Sequence, residues 1–160
     1  MKFLDLIVTA TERALCAVAV ALVAAGLIVV SLQIVDRHFF DVPIVAPDAY
    51  ARIAVIWLTF VGYALGAHSG QAIRVDLIDH WLSSRKRKIL AAIFDLLVLA
   101  VLVLLIAKGW ILVVLGADQS ILGTDHTTAV PNAGLLVGCA GLFIFLAGRS
   151  IKRFADLAGQ

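Results

Sequence analysis

The sequence predicts an all-α integral membrane protein: a single membrane domain over residues 1–160, with four transmembrane helices and one amphipathic interfacial helix between the second and third. Three observations carry that expectation. Hydrophobic residues make up 62% of the chain and charged residues 15%, with a mean hydropathy of +1.05, whereas soluble domains average roughly 45–50% and about 25%. The apolar residues gather into four long runs separated by shorter polar segments. A chain of 160 residues cannot hide that excess in an aqueous core, because a domain of this size still exposes about 30% of its unfolded surface.

The first run covers 14–35. Residues 1–13, with Lys2 and Arg13, resemble the charged start of a secretory signal, but the run outlasts the roughly 7–15 residues of a signal core and no small-residue cleavage site follows. It is therefore expected to be a retained span, long enough at about 1.5 Å per residue to cross about 30 Å of hydrocarbon. Pro43 and Pro47 break the polar stretch 36–48. The second span is expected over 51–67, the third over 89–115 and the fourth over 129–148, after a polar loop at 118–128.

Four spans put both termini on one side, and Lys and Arg choose the side. Lys2, Arg13, Arg74, the cluster 85–88, Arg149, Lys152 and Arg153 fall with the termini, against Arg37 and Arg52 opposite. Both termini are thus expected in the cytoplasm. Between the second and third spans, over 73–83, Ile73, Leu77, Ile78 and Trp81 share one half of a helical wheel while Asp76, Asp79 and His80 share the other, the pattern of a helix lying in the interface. Arg74 breaks it but can snorkel or meet a lipid phosphate. A loop helix packed on a partner is the alternative.

Asp95 and Lys108 are the charges inside a span. They lie about 20 Å apart along a helix axis, too far to pair, and placement near opposite bilayer edges is the expected reading over ion carriage by Asp95. Gly62, Gly66 and Gly70 repeat every four residues in and just beyond the second span, as do Gly134 and Gly138 in the fourth, a spacing that permits close helix contact. Asp48 precedes Arg52 by four residues, the favourable order for a helical ion pair, at the outer surface. Trp57, Trp110 and Trp81 stand where interfacial anchors belong.

The basic residues flank apolar runs and form no aromatic-interleaved stripe, so nucleic acid is not an expected partner. Cys16 and Cys139 lie inside apolar runs, where a thiol behaves as a small hydrophobe, and neither a disulfide nor a metal site is expected. His38, His68, His80 and His126 do not pair at matched depth within spans, as axial haem ligands would. No cofactor is expected.

The stretch Asp48-Ala-Tyr-Ala-Arg52, the segment Ile56-Trp57-Leu58-Thr59-Phe60-Val61-Gly62 and the segment from Gly70 through Arg74 to Asp76 resemble the small, DctQ-like membrane subunit of tripartite ATP-independent periplasmic (TRAP) transporters. The layout agrees over the whole chain, the recognisable residues over about a quarter of it. The chain departs from the family at Ala72, where histidine is frequent, and in lacking a second proline after Pro131. The resemblance implies a non-catalytic scaffold subunit in the bacterial inner membrane. It also implies a large, elevator-type membrane subunit that moves organic acids with sodium, and a periplasmic substrate-binding protein. Membrane lipid is the remaining expected partner. The alternative is a self-contained homo-oligomeric transporter or channel with Asp95 as its coupling acid, which would transport when reconstituted alone.

Overall fold

Within hydrocarbon every backbone N–H and C=O needs a partner from the chain itself, and a helix supplies one for nearly all of them. The computed structural model describes residues 2–39, 47–69, 84–122 and 124–158, and all the regular structure there is helical apart from one isolated bridge, Ser120 to Thr127. The helices are α1 (Lys2–Phe39), α2 (Pro47–His68), α3 (Ser84–Gly116) and α4 (Ala129–Ala158). Each contains a stretch long and apolar enough to cross a membrane: Asp5–Asp36, Asp48–His68, Leu90–Gly116 and Ala129–Lys152. The all-α membrane class expected from composition is therefore what the chain adopts. The interfacial helix expected over 73–83 falls outside the described residues, together with Gly70, Arg74, Leu77 and Trp81.

The helices outrun their apolar cores. The 38 residues of α1 span about 57 Å, well beyond a hydrocarbon layer of about 30 Å. The excess carries the polar residues Asp5, Glu12 and Arg13 at one end and Asp36 and His38 at the other.

α4 packs against all three other helices, α1 also packs against α2, and α3 touches α4 alone among the described helices. Lipid tails are as apolar as leucine, so helices associate through close contact at small residues. α4 supplies them on more than one side. A Cβ added at Gly134 would lie 2.9 Å from Trp57, one at Gly138 2.6 Å from Phe60, one at Gly141 2.6 Å from Leu15 and one at Gly148 3.0 Å from Val8. From the facing helix, Gly109 of α3 receives Leu136 in the same way. The buried centre joins Leu15 of α1, Val61 and Ala64 of α2, Leu102 of α3 and Cys139, Leu142 and Phe145 of α4.

The α3–α4 connection is tied by polar groups. Ile121 N–H donates to the His126 carbonyl at 2.9 Å and Thr128 N–H to Gln119 at 2.8 Å. The Thr128 hydroxyl donates to the Gly116 carbonyl (3.1 Å) and the Asn132 amide to that of Leu112 (3.1 Å), filling acceptors that the end of α3 leaves open. Pro131 sits in the first turn of α4, where a missing N–H breaks no helical bond.

Candidate functional site

α2 has two unlike faces. Trp57, Val61, Ala64 and His68 follow one another at helical spacing and turn toward α4, with Val61 and Ala64 fully buried. Val55, Thr59, Gly62 and Gly66 form the opposite stripe, flanked by Tyr63. Val55 is 61% exposed and Tyr63 65%, while no atom of the described residues lies within 4 Å of a Cβ built on Gly62 or Gly66. The Thr59 hydroxyl donates to the Val55 carbonyl at 2.7 Å, which leaves the stripe smooth. The two glycine repeats thus part company: Gly134 and Gly138 close the chain's own bundle, and Gly62 and Gly66 open outward.

At the end of the bundle where α1 stops and α2 starts, the hairpin end, Trp57 lies half-buried between α2 and α4 and not out at the lipid surface. Its Nε1–H donates to the Val130 carbonyl at 2.8 Å, and Gly134 makes room for the ring. Trp57→Phe is expected to lower thermal stability in detergent by about 1 kcal/mol, the usual worth of one such bond. An unchanged melting curve would remove the bond from the account.

Asp48 accepts a hydrogen bond from Gln33 of α1 at 3.0 Å, which ties α1 to the start of α2. Arg52, the residue spaced to pair with it, is exposed and contributes to the lining of an apolar cleft of about 230 Å³. Ala49, Ile53 and Ile56 form one wall of that cleft, and Ile121, Thr128 and Pro131 the other. The Tyr50 and His126 rings meet edge to face, centroids 5.7 Å apart, and fix the loop over α2.

At the opposite, terminal end, α1, α2 and α4 are joined by polar contacts. His68 stacks on Phe145 (4.2 Å) with its Nε2 3.7 Å from a Glu12 oxygen. Arg149 donates to the Ala67 carbonyl at 3.0 Å, filling an acceptor in the last turn of α2, and Lys152 pairs with Asp5. Partly exposed pairs of this kind contribute little stability each. Their effect is to set register among three helices.

The two intramembrane charges lie on α3, Asp95 half-buried and Lys108 exposed. Asp95, five residues from Leu90, stands nearer an end of the apolar stretch than its middle, whereas Lys108, eight residues from Gly116, stands nearer the middle, so the expected placement near opposite edges suits Asp95 better than Lys108. Trp110 is 63% exposed on the same helix, free to meet lipid.

A comparison with protein-family models matches residues 26–156 to tripartite ATP-independent periplasmic transporters, DctQ component. The chain belongs to the DctQ family. No curated protein matches it closely enough to stand as a relative. The DctQ match takes in α2, α3 and nearly all of α4, and hence the open face, the cleft and the α3–α4 hairpin. It begins after Asp5 and Glu12, the α1 partners at the terminal end. As a DctQ component the protein is a multi-pass membrane part of a TRAP transporter. Sequence reasoning singled out Arg52 and the glycines but passed over Gln33, Glu12, Thr128, Asn132 and Arg149 as interhelical ties. Their common signal is a polar side chain within a turn or two of an apolar stretch's end.

Proposed function

We infer that this chain is the small, non-catalytic scaffold subunit of a sodium-coupled TRAP secondary transporter in the bacterial inner membrane, both termini in the cytoplasm. Its partners are a large elevator-type membrane subunit that carries organic acids and a periplasmic protein that captures them. The observation that carries this reading is the DctQ match over 26–156 on a bundle held by α4. Glycine contacts on two sides of α4 favour a stiff body, which suits a part that braces a moving neighbour.

The open stripe of α2 is the docking face for the large subunit. Gly62 and Gly66 allow a second helix to approach to backbone distance, and Val55, Thr59 and Tyr63 surround them with contact area. The excess of basic residues with the termini supports the cytoplasmic orientation, under which Asp48 and Arg52 face the periplasm.

The test is to tag the chain in its native membrane, extract it in mild detergent and identify by mass spectrometry what accompanies it. A much larger polytopic protein in equal copy number is the expected companion. Recovery of the chain alone or as a homo-oligomer, active in reconstituted transport with a pH dependence lost in Asp95→Asn, would replace this reading with an autonomous transporter.

A further inference from the structure

The geometry points to the cleft at the hairpin end as the site of one anionic glycerophospholipid, whose headgroup phosphate meets Arg52 and whose acyl chain enters between α2 and the start of α4. Four observations converge there. First, the walls are almost wholly apolar: Ala49, Ile53 and Ile56 on one side, Ile121 and Pro131 on the other, with the Thr128 hydroxyl engaged by Gly116. Such walls offer nothing to a hydrated anion or a sugar, and suit a hydrocarbon chain.

Second, the depth fits a lipid. The cleft runs along the first three turns of α2 and the first turn of α4, where the apolar stretches Asp48–His68 and Ala129–Lys152 begin, so it reaches from the headgroup level into the tails. Third, the charge is available. Asp48, spaced to neutralise Arg52, is hydrogen-bonded to Gln33, and Arg52 is exposed with no acidic partner among the described residues. A guanidinium offers a phosphate two parallel donors. The positive end of the α4 macrodipole faces the same region and adds to the attraction for an anion.

Fourth, the size is that of a chain segment. At about 230 Å³ the cleft falls below the roughly 300–1,000 Å³ of pockets that enclose whole small molecules, so it takes part of a flexible tail while the rest stays in the bilayer. This site requires only that the four helices cross a bilayer. It stands or falls separately from the docking of a large subunit.

The test uses the full chain purified in mild detergent, titrated with phosphatidylglycerol or with phosphatidylcholine of the same acyl chains and read by native mass spectrometry. Phosphatidylglycerol is expected to bind about tenfold more tightly than phosphatidylcholine. Arg52→Gln should bring it down to the phosphatidylcholine level, whereas Arg13→Gln, a charge lost from the exposed surface of α1, should change nothing. Ile53→Trp, which fills the cleft, should weaken both lipids. Equal retention by wild type and Arg52→Gln would overturn the proposal, as would an equal loss in Arg13→Gln. Displacement of the lipid by excess inorganic phosphate would reduce the site to a bare anion contact and also overturn it. A cleft found covered by a co-purified protein, with no phospholipid attached, would do the same.

Discussion

Gly138→Leu is expected to collapse the bundle, leaving little folded chain after extraction, and Gly138→Ala to lower its stability by about 2 kcal/mol, within the usual range for overpacking. The reason is the identity of what stands in the way. A Cβ at 138 would lie 2.6 Å from the Phe60 Cβ and 2.8 Å from both the Phe60 carbonyl carbon and its oxygen. A flexible side-chain tip could swing aside, but the backbone of α2 moves only if the whole helix moves, and α2 is also held by α1 and by the Trp57–Val130 bond. Gly141→Ala is the milder comparison, since its nearest neighbour at 2.6 Å is the end of the Leu15 side chain. Melting curves in detergent, read by circular dichroism, should rank the variants Gly138→Leu, Gly138→Ala, Gly141→Ala from worst to best. A Gly138→Ala protein as stable as the wild type would mean that α2 and α4 sit farther apart than the structure places them.

The four-helix class was legible because lipid imposes one rule on every residue it touches, and 62% apolar content in four runs reads directly as helices. The full lengths were less so. α1 begins at Lys2 and α4 runs on to Ala158, beyond the apolar runs at 14–35 and 129–148, because residues such as Asp5, Glu12 and Lys152 keep their backbone helical while their side chains reach across to other helices. Hydropathy registers those positions as breaks. The central place of α4 is written in its glycines, yet only three-dimensional packing distinguishes Gly134 and Gly138 from the equally spaced Gly62 and Gly66.

Spacing also misdirects where a residue has a distant competitor. Asp48 and Arg52 stand in the favourable order for an ion pair, but Asp48 takes its hydrogen bond from Gln33, fifteen positions away. Trp57 has the composition and place of an interfacial anchor, and its indole instead meets a carbonyl 73 positions along the chain. Such partners follow from which helices become neighbours, and local periodicity carries no information about that.

Gly62→Leu and Gly66→Leu are expected to abolish co-purification of the large membrane subunit while leaving the chain's own melting curve close to wild type. Both halves of the result follow from the same observation. Among the described residues nothing lies within 4 Å of a Cβ at either position, so a side chain begun there points away from the packed side of this bundle. Ala at either site should be neutral or slightly stabilising, since glycine is a poor helix former by about 1 kcal/mol. A leucine, however, would hold a docking helix off the backbone and remove the close approach on which association in lipid depends. The contrast with Gly138→Leu separates a surface made for a partner from one made for the fold. If both open-face variants retain the large subunit at wild-type levels, the docking face lies elsewhere. A second broad uncovered surface among the described residues is α3, which packs on α4 alone of the described helices and exposes Phe94, Leu97, Leu104 and Leu115, and Leu97→Trp would be the next variant to make.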